Sequence, residues 1–88
     1  MIIRLDGTRM NSRSAAHDHL QLQLSLPAYY GRNLDALYDL LTENGSELTI
    51  ALTCREQMLA NLGSYGELLL ETLRQAADEN PHLNFTEE

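Results

Sequence analysis

Three short β-prone segments, Ile2-Ile3-Arg4-Leu5, Leu48 to Thr53 and Leu83-Asn84-Phe85, are separated by residues 6–47 and 54–82. Intervals of that length are too long for hairpins, whereas parallel neighbours need a crossover of a dozen residues or more and take it right-handed. The intervening chain has helical periodicity. The spacing therefore predicts an α/β fold in which about four helices pack a small three-stranded parallel sheet.

The first strand is closed by the turn signal Asp6-Gly7. From Ser14, the residues Ala16, His17, Leu20 and Leu24 share one helical face, and Pro27 closes the segment. Gln21 to Leu26 alternates as a strand would, but the longer window favours a helix. A loop over Pro27 to Arg32 leads to Asn33, an N-cap for a helix over Leu34 to Glu43, with Asn44-Gly45 as its stop. Thr53 with Glu56, and Ser64 with Glu67, read as capping boxes for two further helices. The first of these ends at Gly63, and the second runs through Leu69, Leu70, Leu73, Ala76 and Ala77 to Asn80-Pro81.

Eighty-eight residues, 43% of them hydrophobic, suffice for one core, and a single domain over 1–88 is expected. The formal net charge is -7, from 13 acidic residues against 6 basic ones, all arginine. That balance disfavours nucleic acid and anionic membranes as partners. No apolar run exceeds three residues, and the charged N-terminus does not read as a signal peptide. A cytoplasmic location follows as the default. Cys54 has no partner for an internal disulfide. At a helix start its thiol could be activated, but burial as a small apolar residue is the expected state.

The helix over Leu34 to Glu43 departs from a plain structural pattern. Leu34, Leu37, Tyr38 and Leu41 form its buried stripe, widened by Leu40. Asp35, Asp39 and Glu43, spaced four apart, stand above one another on the opposite face. Each like-charge pair costs about 0.2 to 0.5 kcal/mol, and Glu43 is further opposed by the helix dipole. A solvated face would more usually mix signs, so this one reads either as a face that keeps an acidic protein soluble or, given the loop that precedes it, as a docking ridge. The loop before it brings Tyr29 and Tyr30, and tyrosine suits interfaces by pairing an apolar ring with a polar tip.

The stretch Leu26-Pro27-Ala28-Tyr29-Tyr30-Gly31-Arg32-Asn33-Leu34-Asp35-Ala36-Leu37-Tyr38-Asp39-Leu40-Leu41-Thr42 closely resembles the signature of the barstar family, intracellular inhibitors of secreted bacterial ribonucleases. His17, Leu20 and Leu24 suit the family's first helix, and Arg74 through Ala76 its last. The resemblance implies the same parallel-sheet fold. It also implies inhibition without catalysis: the acidic helix and preceding loop insert into the active-site cleft of a basic ribonuclease or nuclease toxin.

By residue match, the resemblance puts Asp39 in the place of a substrate phosphate, against the enzyme's arginines and catalytic histidine. Asp35 pairs with a neighbouring cation, Tyr29 packs on that histidine, and Gly31, Asn33 and Leu34 make close backbone and small contacts. With Tyr38 and Glu43 these are the expected partner-binding residues. Three positions depart from the best-known member. Arg32 stands where that member has an acid, placing positive charge beside a surface meant for a basic enzyme; Tyr38 replaces a tryptophan; and Gln75 replaces a glutamate.

A regulatory module docking a basic partner that is not a nuclease is the competing reading. An enzyme acting through the Asp35 and Asp39 carboxylates is disfavoured, because an exposed ridge lacks the enclosed pocket such chemistry needs. His17 and His19, two apart on a helix, point about 200° away from each other and cannot share a metal ion. His82 is remote in sequence. No metal and no cofactor is expected, and His17, on the apolar face, reads as a hydrogen-bonded core histidine.

Overall fold

A computed structural model describes every residue from Met1 to Glu88. The three β-segments pair as one parallel sheet in the order β1 (Ile2–Asp6), β2 (Leu48–Thr53), β3 (Leu83–Glu87). Ile3 lies opposite Ile50, and Ile50 opposite Phe85. Four α-helices complete the fold: α1 (Arg13–Gln23), α2 (Leu34–Glu43), α3 (Arg55–Leu62) and α4 (Ser64–Glu79), with a short 3-10 turn over Gly7–Arg9 after β1. The architecture is the α/β fold that the strand spacing predicts.

Successive strand residues face opposite sides of a sheet. Ile50, Ala51 and Leu52 are all buried, so the central strand is covered on both faces. Each strand and each helix contributes to one continuous apolar cluster that includes Leu5, Leu20, Leu37, Ile50, Met58, Leu73 and Leu83. Helix α1 packs on β1, α4 on β3, and α2 and α3 both on α4. The ridge helix is supported from behind by α4.

Two helix starts differ from the sequence reading. A capping box needs an extended N-cap whose side chain reaches the first turn. The N-cap of α3 is instead Cys54, in the left-handed region at φ 55° and without a side-chain cap, while Thr53 Oγ1 donates to Leu5 O of β1 at 3.3 Å. Gly7 makes this turn possible, because a Cβ there would lie 2.2 Å from Cys54 O. The N-cap of α4 is Gly63 at φ 59°, a conformation open to glycine, which lets the chain pivot from α3 into α4 with Ser64 already helical. Cys54, expected in the core, is exposed on the turn it forms.

Asn80 does more than stop α4. Its buried side-chain amide donates to Leu41 O at 2.9 Å and Asn44 O at 2.7 Å, and its Oδ1 accepts from His82 N. One side chain thus binds two carbonyls at the C-terminal end of α2, those of Leu41 and the C-cap Asn44, and starts the turn into β3.

Candidate functional site

Helix α2 begins as its sequence dictates. Asn33 Oδ1 accepts from Ala36 N at 2.8 Å, and its Nδ2 donates to Gly31 O at 3.2 Å, so the cap also fixes the residues before it. Leu37 and Leu41 are buried, and Leu34, Tyr38 and Leu40 are partly buried against the core. Asp35, Asp39 and Glu43 are exposed on the other side. None of the three carboxylates has an ion pair or a side-chain hydrogen bond. Asp35 is favoured by its place in the first helical turn.

The preceding loop separates the tandem tyrosines. Tyr29 is 81% exposed, while Tyr30 is 5% exposed and belongs to the core. The division originates in α1. His17 Nδ1 lies 2.5 Å from Tyr30 Oη and its Nε2 lies 2.6 Å from Tyr65 Oη of α4, so a neutral imidazole donates to one hydroxyl and accepts from the other. Anchoring Tyr30 inward leaves Tyr29 outward beside the head of α2.

A polar stripe on α1 completes the anchor. Arg32, in the left-handed region at φ 56°, turns its guanidinium back to α1: Nη2 lies 2.8 Å from Asp18 Oδ1 and donates to Ser14 O, while Nη1 donates to Gln21 Oε1. Gln21 Nε2 in turn donates to Pro27 O. Ser14, His17, Asp18 and Gln21 stand at helical spacing, so one face of α1 holds the loop at three places. The charge of Arg32 is thereby paired within the chain and drawn away from the carboxylate ridge.

Burial lowers the His17 pKa, and the nearby positive charges of Arg32 and Arg13 lower it further. Burial raises the Tyr30 and Tyr65 hydroxyls. These effects favour the neutral imidazole, which donates to one hydroxyl and accepts from the other. His19 Nε2 accepts from Asp6 N at 2.9 Å and is likewise held below the usual imidazole range, chiefly by burial. His17, Asp18 and His19 thus turn to three different partners: a tyrosine pair, Arg32 and the β1 backbone.

Six of the eight residues expected at the interface are exposed together along α2 and its loop: Tyr29, Gly31, Asn33, Asp35, Asp39 and Glu43. Leu34 and Tyr38 are half-buried between that surface and the core. Gln75, on the exposed side of α4, hydrogen-bonds to Glu71 one turn earlier. The sequence reading missed Tyr65, Asp18 and Asn80. The polar spacing of Ser14, His17, Asp18 and Gln21 was a legible signal for the first contacts of this kind, whereas nothing local marks Tyr65 or the double duty of Asn80.

Comparison with known proteins identifies a family and a relative. Residues 1–86 match the family model described as Barstar (barnase inhibitor). A Bacillus subtilis (strain 168) protein named "Putative ribonuclease inhibitor YrdF" is 39% identical over 79 residues, covering 88% of this chain and 86% of that protein.

Proposed function

The chain belongs to the barstar family, and on that premise we propose that it is a protein inhibitor of a ribonuclease, acting through α2 and the loop before it. The observation that carries the reading is the set of unpaired carboxylates on Asp35, Asp39 and Glu43, aligned on a helix anchored at both ends and flanked by the outward Tyr29. A cleft built to hold a phosphodiester is lined with cationic donors, and a carboxylate offers arginine a similar bidentate acceptor.

In this reading Asp39 takes the position of a substrate phosphate in the enzyme's cleft, and Asp35 pairs with a neighbouring cation. Tyr29 lays its ring on the catalytic histidine. Gly31, Asn33 and Leu34 allow close approach of the loop, and Tyr38 and Glu43 border the contact. The chain itself carries out no reaction. We place it in the cytoplasm as one domain, protecting the producing cell from a basic secreted ribonuclease or nuclease toxin. The pairing of Arg32 with Asp18 supports a basic target, since it removes a charge that would oppose docking.

Titrating barnase and other basic microbial ribonucleases with the purified chain tests the proposal. Stoichiometric loss of RNA cleavage is expected for at least one of them. Asp39→Ala should weaken that inhibition more than any other single ridge substitution, and added salt should slow association. Undiminished inhibition by Asp39→Ala at equal concentration would defeat the mechanism.

A further inference from the structure

A shallow cavity of about 320 Å3 lies at the head of the ridge, between Arg13 and Ser14 at the start of α1, Arg32 to Leu34 at the start of α2, and Tyr65. No carboxylate lines it. Arg4, Arg32, Arg55 and Arg74 each have an acidic partner in the chain. Arg13 has neither an ion pair nor a hydrogen bond; its guanidinium carbon stands 4.1 Å above the centroid of the Tyr65 ring, which fixes it at the cavity wall with its donors free. The cavity shares Asn33 and Leu34 with the proposed docking surface, so an enzyme seated on those residues covers its mouth.

We propose that this cavity is a specificity subsite that receives an acidic side chain of the docked ribonuclease, with Arg13 as its principal ligand. The inference rests on the inhibitory reading given above. Covering the cavity withdraws the Arg13 guanidinium from water, which is unfavourable unless the incoming surface supplies a counter-charge. A carboxylate matches the planar fork of arginine with two hydrogen bonds. A ribonuclease carrying Asp or Glu at this point of its rim is therefore accepted, and one carrying Lys or Arg there meets like charge and is rejected. RNA is a poor occupant, because the net charge of -7 and the adjacent Asp35 repel a polyanion. The docking face is thus bipolar: an acidic ridge for the enzyme's basic cleft, with a cationic shoulder for an acid beside that cleft.

The sign of the Arg13 effect tests the proposal. If overall charge alone governed docking, removing a cation from an acidic inhibitor would improve binding to a basic enzyme. The subsite requires the reverse. Against a ribonuclease that the wild-type chain inhibits, taken from the panel above with barnase included, Arg13→Gln should raise the dissociation rate roughly tenfold. Arg13→Lys should recover part of the loss. Arg13→Glu should bind worse still, and should regain inhibition when one rim carboxylate of the ribonuclease is replaced by lysine. Circular dichroism and thermal melts keep folding separate from binding, and since stacking on Tyr65 is the contact Arg13 makes in the free chain, its variants should remain folded with only a small drop in melting temperature. Unchanged or tighter binding by folded Arg13→Gln overturns the subsite and leaves the inhibitory reading standing. Failure of the wild-type chain to inhibit any ribonuclease of the panel overturns both.

Discussion

Arg32 Nη2 stands 2.8 Å from Asp18 Oδ1, joining the loop that precedes the acidic helix to the middle of α1. Both side chains are substantially exposed, and exposed pairs contribute about 0 to 1 kcal/mol. The pair therefore adds little to global stability, but it is one of the links that hold the loop against α1.

Asp18→Ala should accordingly leave the urea midpoint nearly unchanged while the loop loosens. Amide hydrogens of residues 28–32 should exchange several-fold faster, on the order of 3 to 10 times, and those of β2 should not change. The double variant Asp18→Arg with Arg32→Asp should regain the protection. Unchanged exchange in Asp18→Ala would show that the loop is held without the pair.

Adjacent tyrosines should respond differently to the same kind of change. Tyr30→Phe leaves buried His17 with one hydroxyl partner where it had two, and a buried polar atom left unpaired costs about 1 to 3 kcal/mol. Tyr29→Phe, at an exposed position, should fall within about 0.5 kcal/mol of wild type. Urea denaturation of the two variants measures the contrast; equal losses would contradict the inward anchoring of Tyr30.

Stability should fall with acidity in two windows. His17 and His19 have folded pKa values below their ordinary 6.5, chiefly through burial, so below pH 6.5 the unfolded chain takes up protons that the folded chain refuses. Their contribution is complete above pH 6.5 and is lost as pH falls toward the lowered folded values. Glu87, hydrogen-bonded first by Arg74 and then by Arg55, is pushed down to about 2 from 4.5. Its contribution is complete above pH 4.5 and is lost as pH falls toward 2. Urea midpoints measured from pH 8 to pH 3 should stay level to about pH 7 and then decline in both ranges. Arg74→Ala should shrink the lower decline and leave the upper one, and equal declines in both proteins below pH 4.5 would refute the assignment.

Asn80→Ala removes two donors from α2 carbonyls and one acceptor from the turn into β3. Because the site is buried, the loss should be about 2 to 3 kcal/mol. Faster amide exchange should appear in the last turn of α2, far along the chain from the substitution. A loss confined to the end of α4 would mean that the link between the two helices is unimportant.

The parts of the fold legible in sequence are those whose causes are local. Asn33 as N-cap, Leu34–Glu43 as helix and Leu48–Thr53 as strand all follow from a cap, a periodicity or a β-rich run within the segment itself. The exposed ridge is legible for the same reason, since opposite faces of α2 differ in residue type. Thr53 and Ser64 mislead because their patterns are local but the backbone is not: Cys54 turns left-handed against Gly7, which arrives from the end of β1. The outward Tyr29 and inward Tyr30 are indistinguishable in the chain, because what separates them is His17, reached through the fold. Arg32 reads as a misplaced charge until Asp18 is seen beside it.

A single amide at position 80 fastens both the tail of the acidic helix and the entry to the last strand. At this one position the durability of the molecule and the shape of its face cannot be altered independently: a lineage that drifts here inherits a change in both.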